Sequence, residues 1–337
     1  MPTTEMMSPK QSFSVSVVIP AYNAEATIER AIESVLRQTR PPEEIIVVDD
    51  GSTDRTAEKV RQYEPKVRYL YELNNGPSNA RNLGILSAQQ GEWVAFLDAD
   101  DEWLPEKLEC QVNHLSRNPD LLWTFSNYWL CFYGMEKRQT GFEDKKTSFL
   151  LKNREYFDDY LDVYAQIGHA LTSSMIIRRR VLLEVGLFET NRFWAEDTDL
   201  FFRISYRHPQ IGYLSNPLVL YYAGYPGSLT EEHKRQIQPR CSLVLKHLAL
   251  SAQHGRLEKF MPCACKMLEN CIRRLLQNNP ISDLHEIPAE LDVFLPARLR
   301  KEVWCRRKWP RAAAIVFSLY FSFKNALNQI VQKRMLL

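Results

Sequence analysis

Apolar and polar positions alternate in blocks along the first third of this chain. Short β-branched or apolar runs, Ser14 to Ile19 (closed by Pro20), Glu44 to Val48, Val67 to Tyr71 and Trp93 to Leu97, read as strands. Segments of helical period separate them. Ala24 to Gln38 puts Ile28, Ala31, Ile32, Val35 and Leu36 on one face, with Asn23 as N-cap. Asp54 to Tyr63 turns Ala57 and Val60 inward. A third helix opens at Asn75-Gly76-Pro77, with Pro77 at a favoured first position, and runs to about Gln90, where Gly91 ends it. Pro105 starts another, to about Arg117. This alternation predicts an α/β fold with a mostly parallel sheet and right-handed crossovers.

The regularity then changes. Leu121 to Phe132 is a long, aromatic-rich strand, and Gly134 to Asp159 is charged and weakly periodic, which predicts a surface excursion. Thr172 to Ile177 reads as a strand, and Asp197 to Tyr206 as a helix with Leu200, Phe201 and Ile204 on one face. From Glu231 onward the period is helical over about 231–253, 257–278, 288–303 and 310–333. A composition shift at Tyr225-Pro226-Gly227 marks the expected boundary. The division is therefore a disordered terminus over 1–13, an α/β domain over 14–225 (halves of about 14–118 and 119–225) and a helical region over 226–337.

Composition narrows the class without choosing a function. The 337 residues are 45% hydrophobic and 25% charged, as expected of a globular chain of one large or two ordinary domains. A net charge of +2 gives no bias toward nucleic acid. Seven cysteines include the cluster Cys263, Cys265 and Cys271, but no matching His or Cys pair completes a zinc site, so buried thiols are expected. The odd count and the polar first twelve residues predict a reducing cytoplasm.

The chemistry sits where strands end. Val94 to Leu97 runs into Asp98-Ala99-Asp100-Asp101, three carboxylates within four residues. Such crowding penalises ionisation, and a hard divalent cation relieves it. The alternative, a solvated turn capping the next helix, accounts for one Asp and leaves two unexplained. A second strand delivers Asp49-Asp50-Gly51-Ser52-Thr53-Asp54. Part of that is helix entry, yet the paired acids exceed what capping needs; an Asp there can accept the imide N–H of a uracil base, and Tyr22, after the first strand, can stack on it. Two strands ending in acids point to one cleft at the carboxyl edge of the sheet, where open α/β folds bind nucleotides. Arg81 lies one turn into the Pro77 helix, poorly placed for the helix dipole. A bound anion would resolve that misfit; so would a surface pairing with Glu92. Trp194-Ala195-Glu196-Asp197-Thr198-Asp199 opens a helix with acids in its first turn, favourable for the dipole. One of them, shielded beside Phe193 and Trp194, could also serve as a general base.

The ordered set V-I-P-A-Y-N, V-V-D-D-G-S-T-D, N-G-P-S-N-A-R-N-L-G, F-L-D-A-D-D and A-E-D-T-D-L resembles the family 2 glycosyltransferases of GT-A fold, over about residues 14 to 206. The resemblance implies a Rossmann-like, mostly parallel sheet flanked by helices, with a helical C-terminal extension. It also implies inverting transfer of one sugar from a nucleotide-diphosphate sugar. Pro20, Tyr22, Glu25, Asp50, Arg81 and Asp98 match nucleotide-binding positions, Asp50 toward the uracil edge. Asp98 and Asp100 match the D-x-D that positions the diphosphate through Mg²⁺ or Mn²⁺, Asp100 being the more direct ligand. Asp197 matches the catalytic base and Glu196 its companion. The Q-x-x-R-W motif of processive members is missing; Gln236 to Arg240 lacks the tryptophan. The implied partners are a UDP-sugar donor and a glycan or lipid-linked acceptor.

Two other functions stay in view. A nucleotidyltransferase would carry a Gly-rich basic loop where Pro20-Ala21-Tyr22-Asn23 stands, and a non-catalytic nucleotide-sugar module would have no use for Asp98, Asp100 and Asp197 together. No G-x-G-x-x-G or G-x-x-x-x-G-K-[ST] is present, which disfavours a dehydrogenase and a P-loop ATPase. Ala297 to Arg311 carries seven Lys and Arg against Glu302, with Trp304 and Trp309, ahead of an uncharged run from Ala312 to Phe323. Twelve apolar residues are too few to span a bilayer. They suit an interfacial helix on anionic lipid, so residues 297–330 are expected to hold the protein at the inner face of the membrane or, alternatively, to pack on the core.

Overall fold

The computed structural model describes residues 13–132, 138–192, 194–224, 238–278 and 288–308. The chain divides into two compact units, Met1–Glu231 and Glu232–Leu337. The expected boundary at Tyr225-Pro226-Gly227, the terminus before Phe13 and the helix over 310–333 lie outside the described residues.

In the first unit, strands β1 (Val15–Ala21), β2 (Glu44–Asp50), β3 (Arg68–Glu72) and β4 (Trp93–Phe96) alternate with helices α1 (Ile28–Leu36), α2 (Thr56–Arg61) and α3 (Pro77–Ser87). There follow β5 (Glu102–Trp103), α4 (Lys107–Arg117), β6 (Trp123–Phe132), β7 (Arg138–Thr140), α5 (Asp144–Leu151), β8 (Tyr156–Phe157), α6 (Tyr160–Gln166), β9 (Met175–Arg178), α7 (Arg179–Glu184), α8 (Glu196–Arg207) and β10 (Ile211–Ala223). They form one sheet of order β3-β2-β1-β4-β9-β6-β10-β5, with β7 on β6 and β8 on β10. β1 through β4 pair in parallel, as do β6 and β10. β9 enters antiparallel between β4 and β6.

Burial follows the sequence pattern. Val17, Val18, Ile19, Val47, Val48, Ala95 and Phe96 are fully enclosed, and α1 buries Ile28, Ala31, Ile32 and Val35 against the sheet. α3 lies on β1 and β2 because Gly84 permits it: a Cβ there would stand 2.3 Å from Val18 Cγ1. Pro77 occupies the first turn of α3, as its locked φ favours.

Several boundaries differ from expectation, each for a visible reason. α1 starts at Ile28 rather than Ala24, and Asn23 does not cap it. The N–H groups of Asn23, Ala24 and Glu25 are taken by Ser52 Oγ, Thr56 Oγ1 and Asp54 Oδ2 of the neighbouring loop, so this stretch bridges two loops instead of starting a helix. Leu36, the last residue of α1, is exposed rather than on the buried face. Thr172–Ser174 forms a 3₁₀ turn and β9 begins only at Met175: the Thr172 and Ser173 hydroxyls turn toward Asp197 and Asp101, and that of Ser174 donates back to the Leu171 carbonyl. The supposed excursion after Gly134 holds β7, α5 and β8, pieces too short and polar to leave a period. The two-residue β5 escaped detection likewise.

The second unit contains α9 (Gln238–Gln253), α10 (Leu257–Asn278) and α11 (Ala297–Lys308). Leu243, Val244, Phe260, Ala264, Leu268 and Ile272 are buried, as are the thiols of Cys263 and Cys271. The helix expected over 288–303 is two elements, a 3₁₀ turn at Ala289–Phe294 and α11, because Pro296 keeps Leu295 extended (ψ 140°). Among the described residues no helix is long and apolar enough to cross a membrane.

Candidate active site

Parallel pairing aligns the carboxyl ends of β1, β2 and β4, and the loops leaving them carry the polar groups. Asp49 and Asp50 close β2 beside Ala21 of β1 and Glu72 of β3. Asp49 is a turn builder: its Oδ1 accepts the Ser52 N–H at 2.8 Å and its Oδ2 the Tyr69 hydroxyl at 2.7 Å. Asp50 is buried, and its two oxygens accept the N–H groups of Asn75 and Gly76, both at 2.8 Å. It therefore anchors the loop that launches α3. Burial raises its carboxyl above the usual range despite those two amides.

The β1 and β2 loops are stitched together. Asn23 Oδ1 accepts the Thr53 N–H at 2.9 Å, and Glu25 Oε2 accepts the Arg55 N–H at 3.0 Å. Pro20 lies within β1 opposite Val48, and Tyr22 beyond it is 51% exposed, an apolar ring open at the strand end.

Arg81 joins the two halves of the site. It is buried, and donates through Nη2 to Asp98 Oδ1 and through Nη1 to Glu196 Oε1, both at 2.8 Å. Its guanidinium also stands over the Phe188 ring at 5.3 Å. The sequence offered an anion or Glu92 as its partner; in the structure the partners are two carboxylates of the protein, one from the turn after β4 and one from the first turn of α8.

The Asp98–Asp101 turn is clamped from several sides. Arg30 donates to the Asp100 carbonyl at 2.5 Å and packs on the Tyr222 ring at 4.0 Å. The Ser173 hydroxyl donates to Asp101 Oδ2 at 2.5 Å and accepts the Asp98 N–H at 3.1 Å. Asp101 is fully buried, also accepts the Tyr222 N–H at 3.2 Å, and is pushed up by burial and by its two acidic neighbours. It thus holds the turn rather than a ligand. The Asp100 carboxylate receives no side-chain hydrogen bond among the described residues, and burial together with Asp98 raises it to about 6.

Asp98 and Asp100 fit a hard divalent cation. The like-charge repulsion that raises Asp100 is what such an ion removes. Among the described residues no three His, Cys, Asp or Glu groups are placed together to hold a metal ion, so an ion here would take two carboxylates and fill its shell from substrate oxygens and water.

Asp197 sits at the start of α8, after Ala195 in a left-handed conformation (φ 55°). Its Oδ2 accepts the Thr172 hydroxyl at 3.1 Å and faces His169 Nε2 at 3.0 Å; its Oδ1 accepts the Thr198 N–H at 2.6 Å. Burial alone would raise this carboxyl, but His169, Arg81 and the Thr198 amide outweigh it and hold it well below the usual range. Glu196 beside it is pushed up by burial against the opposing pull of Arg81. Asp199 is buried in an ion pair with Arg203 at 2.7 Å.

The structure thus brings Arg81, Asp98, Glu196 and, through the shared first turn of α8, Asp197 to one edge. Pro20, Tyr22, Glu25 and Asp50 form a second group around the β1 and β2 loops. Sequence reasoning missed His169, Thr172, Ser173 and Arg30. The run Thr172-Ser173-Ser174 ahead of an apolar strand was a usable signal for two of them. Nothing local marks His169 or Arg30.

The family model described as "Glycosyl transferase family 2" matches residues 16–186. An uncharacterized glycosyltransferase of Rickettsia typhi is 32% identical over 197 residues, 56% of this chain and 58% of that protein. A putative teichuronic acid biosynthesis glycosyltransferase of Bacillus subtilis, TuaG, is 42% identical over 120 residues (34% of this chain, 47% of that one). The Escherichia coli UDP-Glc:alpha-D-GlcNAc-diphosphoundecaprenol beta-1,3-glucosyltransferase WfgD is 39% identical over 118 residues (34% and 46%). The matched segments thus span roughly half of each of these relatives. Among solved structures, S. aureus TarS 1–349 in complex with UDP superposes with TM-score 0.62 at 20% identity, over 93% of this chain and 92% of that one; at this identity the likeness is one of fold.

Proposed function

The chain belongs to glycosyl transferase family 2 and is a glycosyltransferase, and on that premise we propose that it moves a single sugar, with inversion, from a UDP-sugar to a hydroxyl of a glycan or lipid-linked acceptor in cell-surface polysaccharide synthesis. The observation that carries this reading is the Arg81 bridge, at 2.8 Å to both Asp98 and Glu196. It couples an acidic turn suited to a diphosphate–metal group to a helix start bearing an ionised carboxylate. One end receives the leaving group and the other the nucleophile.

Each residue has a task in this reading. The exposed Tyr22 ring offers a stacking face for the base, with Pro20 and the Glu25–Arg55 contact shaping its loop. Asp50 fixes the loop before α3 and presents its remaining lone pairs toward a uracil edge. Asp98 and Asp100 would hold Mg²⁺ or Mn²⁺, which supplies Lewis-acid neutralisation of the departing diphosphate. Asp197, kept ionised, receives the proton of the acceptor hydroxyl as that oxygen attacks the anomeric carbon. Glu196 keeps Arg81 against Asp98. Uridine is supported by the UDP-bound fold neighbour and the UDP-glucose-dependent relative.

A peripheral position at the inner face of the membrane belongs to the same reading. It rests on α11, where Arg300 and Lys301 are exposed and Trp304 is 50% exposed; residues 309–330 of the expected surface lie outside the described residues. Calorimetric titration with UDP, GDP and ADP, with and without Mn²⁺, tests the donor assignment. Mn²⁺-dependent, UDP-selective binding is expected. GDP selectivity would overturn the uracil role of Asp50, and no nucleotide binding would overturn the donor reading.

A further inference from the structure

The Asp197 carboxylate has its lone pairs committed. Oδ1 takes the Thr198 N–H at 2.6 Å and the Thr198 hydroxyl at 3.3 Å; Oδ2 takes the Thr172 hydroxyl at 3.1 Å and faces His169 Nε2 at 3.0 Å. An ionised carboxylate offers about four such positions, so an incoming hydroxyl finds none free while an imidazole N–H occupies Oδ2. The His169 ring, tilted on Phe201 at 6.2 Å, is 36% exposed, and its Nδ1 has no hydrogen bond among the described residues.

We propose that the acceptor proton is taken up by an Asp197–His169 pair, with the imidazole as its final holder, so that His169 is a positioning and proton-holding residue of the transfer. This rests on the transferase reading above. With His169 neutral and its one proton on Nδ1, Nε2 donates nothing and Oδ2 is open to the acceptor hydroxyl. The acceptor O–H bond breaks and its oxygen forms the new bond to the anomeric carbon. The bond from that carbon to the diphosphate breaks, and the electron pair leaves with the phosphate oxygen. The proton passes to Asp197 Oδ2 and on to His169 Nε2, giving an imidazolium–carboxylate pair; once the products leave, the Nε2 proton is lost to solvent and the Nδ1–H imidazole is restored.

The charged groups facing His169 are Asp197 and Glu196 of α8, with Arg81 of α3 held against Glu196. Burial lowers the imidazole, but the two carboxylates outweigh it and lift it above its ordinary value. The competent, neutral form therefore grows as pH rises past that raised value, above about 6.5.

The test follows UDP release from UDP-glucose and UDP-N-acetylglucosamine against pH for the wild type, His169→Gln and His169→Asn. It is paired with an NMR titration of the His169 ring in the wild type and in Asp197→Asn. The wild-type rate is expected to rise about tenfold per pH unit up to an imidazole-range midpoint. In the His169 variants that limb moves below pH 5, and the plateau rate falls about 10- to 100-fold, within the range of acid–base catalysis. UDP affinity changes less than about twofold, which also reports an intact fold, and Asp197→Asn lowers the midpoint of the ring. An active enzyme whose limb stays in place without His169, or a ring that titrates at its ordinary value in both proteins, overturns the pair alone. A wild type that turns over no nucleotide sugar overturns the transferase reading and the pair with it.

Discussion

Arg81→Met is the sharpest perturbation of this fold and its site together. The guanidinium side chain is 6% exposed and its two partners, Asp98 and Glu196, are 27% and 14% exposed. Methionine keeps most of the aliphatic bulk over Phe188, so the packing loss is small. What is lost is the counter-charge of two carboxylates that stand beside a third, Asp100. Stranding one charge of a buried pair costs about 3–5 kcal/mol; water reaching Asp98 restores part of it, which leaves about 3 kcal/mol. With a urea slope of about 2–3 kcal/mol/M, the midpoint falls by about 1 M. Trp93, Trp103 and Trp123 are buried in the same compact unit, so their fluorescence reports its unfolding. Burial already raises Glu196 against the pull of Arg81, and losing Arg81 removes that pull, so the cost is fully present above its folded value and fades as pH falls toward about 4, where the folded state can protonate it. Adding Glu196→Gln to Arg81→Met returns about 1–2 kcal/mol. A midpoint shift below about 0.3 M at pH 7.5, the size of an exposed ion pair, would refute the argument that this bridge holds the site together.

Two further outcomes follow from other atoms. Asp100 is raised to about 6 against about 3.9 unfolded, so its ionised form weakens the metal-free fold above pH 6 and costs nothing below about 4. Asp100→Asn should therefore stabilise the metal-free protein by about 1–3 kcal/mol at pH 8 and hardly at all at pH 4, while removing Mn²⁺-dependent UDP binding; equal urea midpoints at pH 8 would contradict this. Gly84→Ala puts a Cβ 2.3 Å from Val18 Cγ1, so overpacking should cost about 1–3 kcal/mol, read as a lower Tm that Val18→Ala partly restores; an unchanged Tm would mean that α3 is free to shift.

What the sequence revealed and what it concealed divide along a physical line. β1, β2, β4 and α1 were legible because each buries a continuous apolar run or a 3.6-residue stripe, and burial is written into residue type; α3 was legible from Pro77 at its start. The acids at their ends were legible because a carboxylate after such a run stands out from its background. The partners of those acids were not. Arg81 reads as an exposed helical arginine until the fold closes α8 over it, and its pairing with Glu196 joins residues 115 positions apart. β9 enters the sheet antiparallel because the chain returns between β4 and β6, a topological choice that a four-residue apolar run does not encode. His169 shows the same limit most sharply. Its neighbours Gly168, Ala170 and Leu171 carry no periodic signal, and its chemistry comes from a carboxylate that only the docking of α8 brings to 3.0 Å. Local pattern therefore sets which groups the site contains. Tertiary closure sets their partners, pairing a candidate anion-binding arginine with two carboxylates and giving the candidate base a histidine partner.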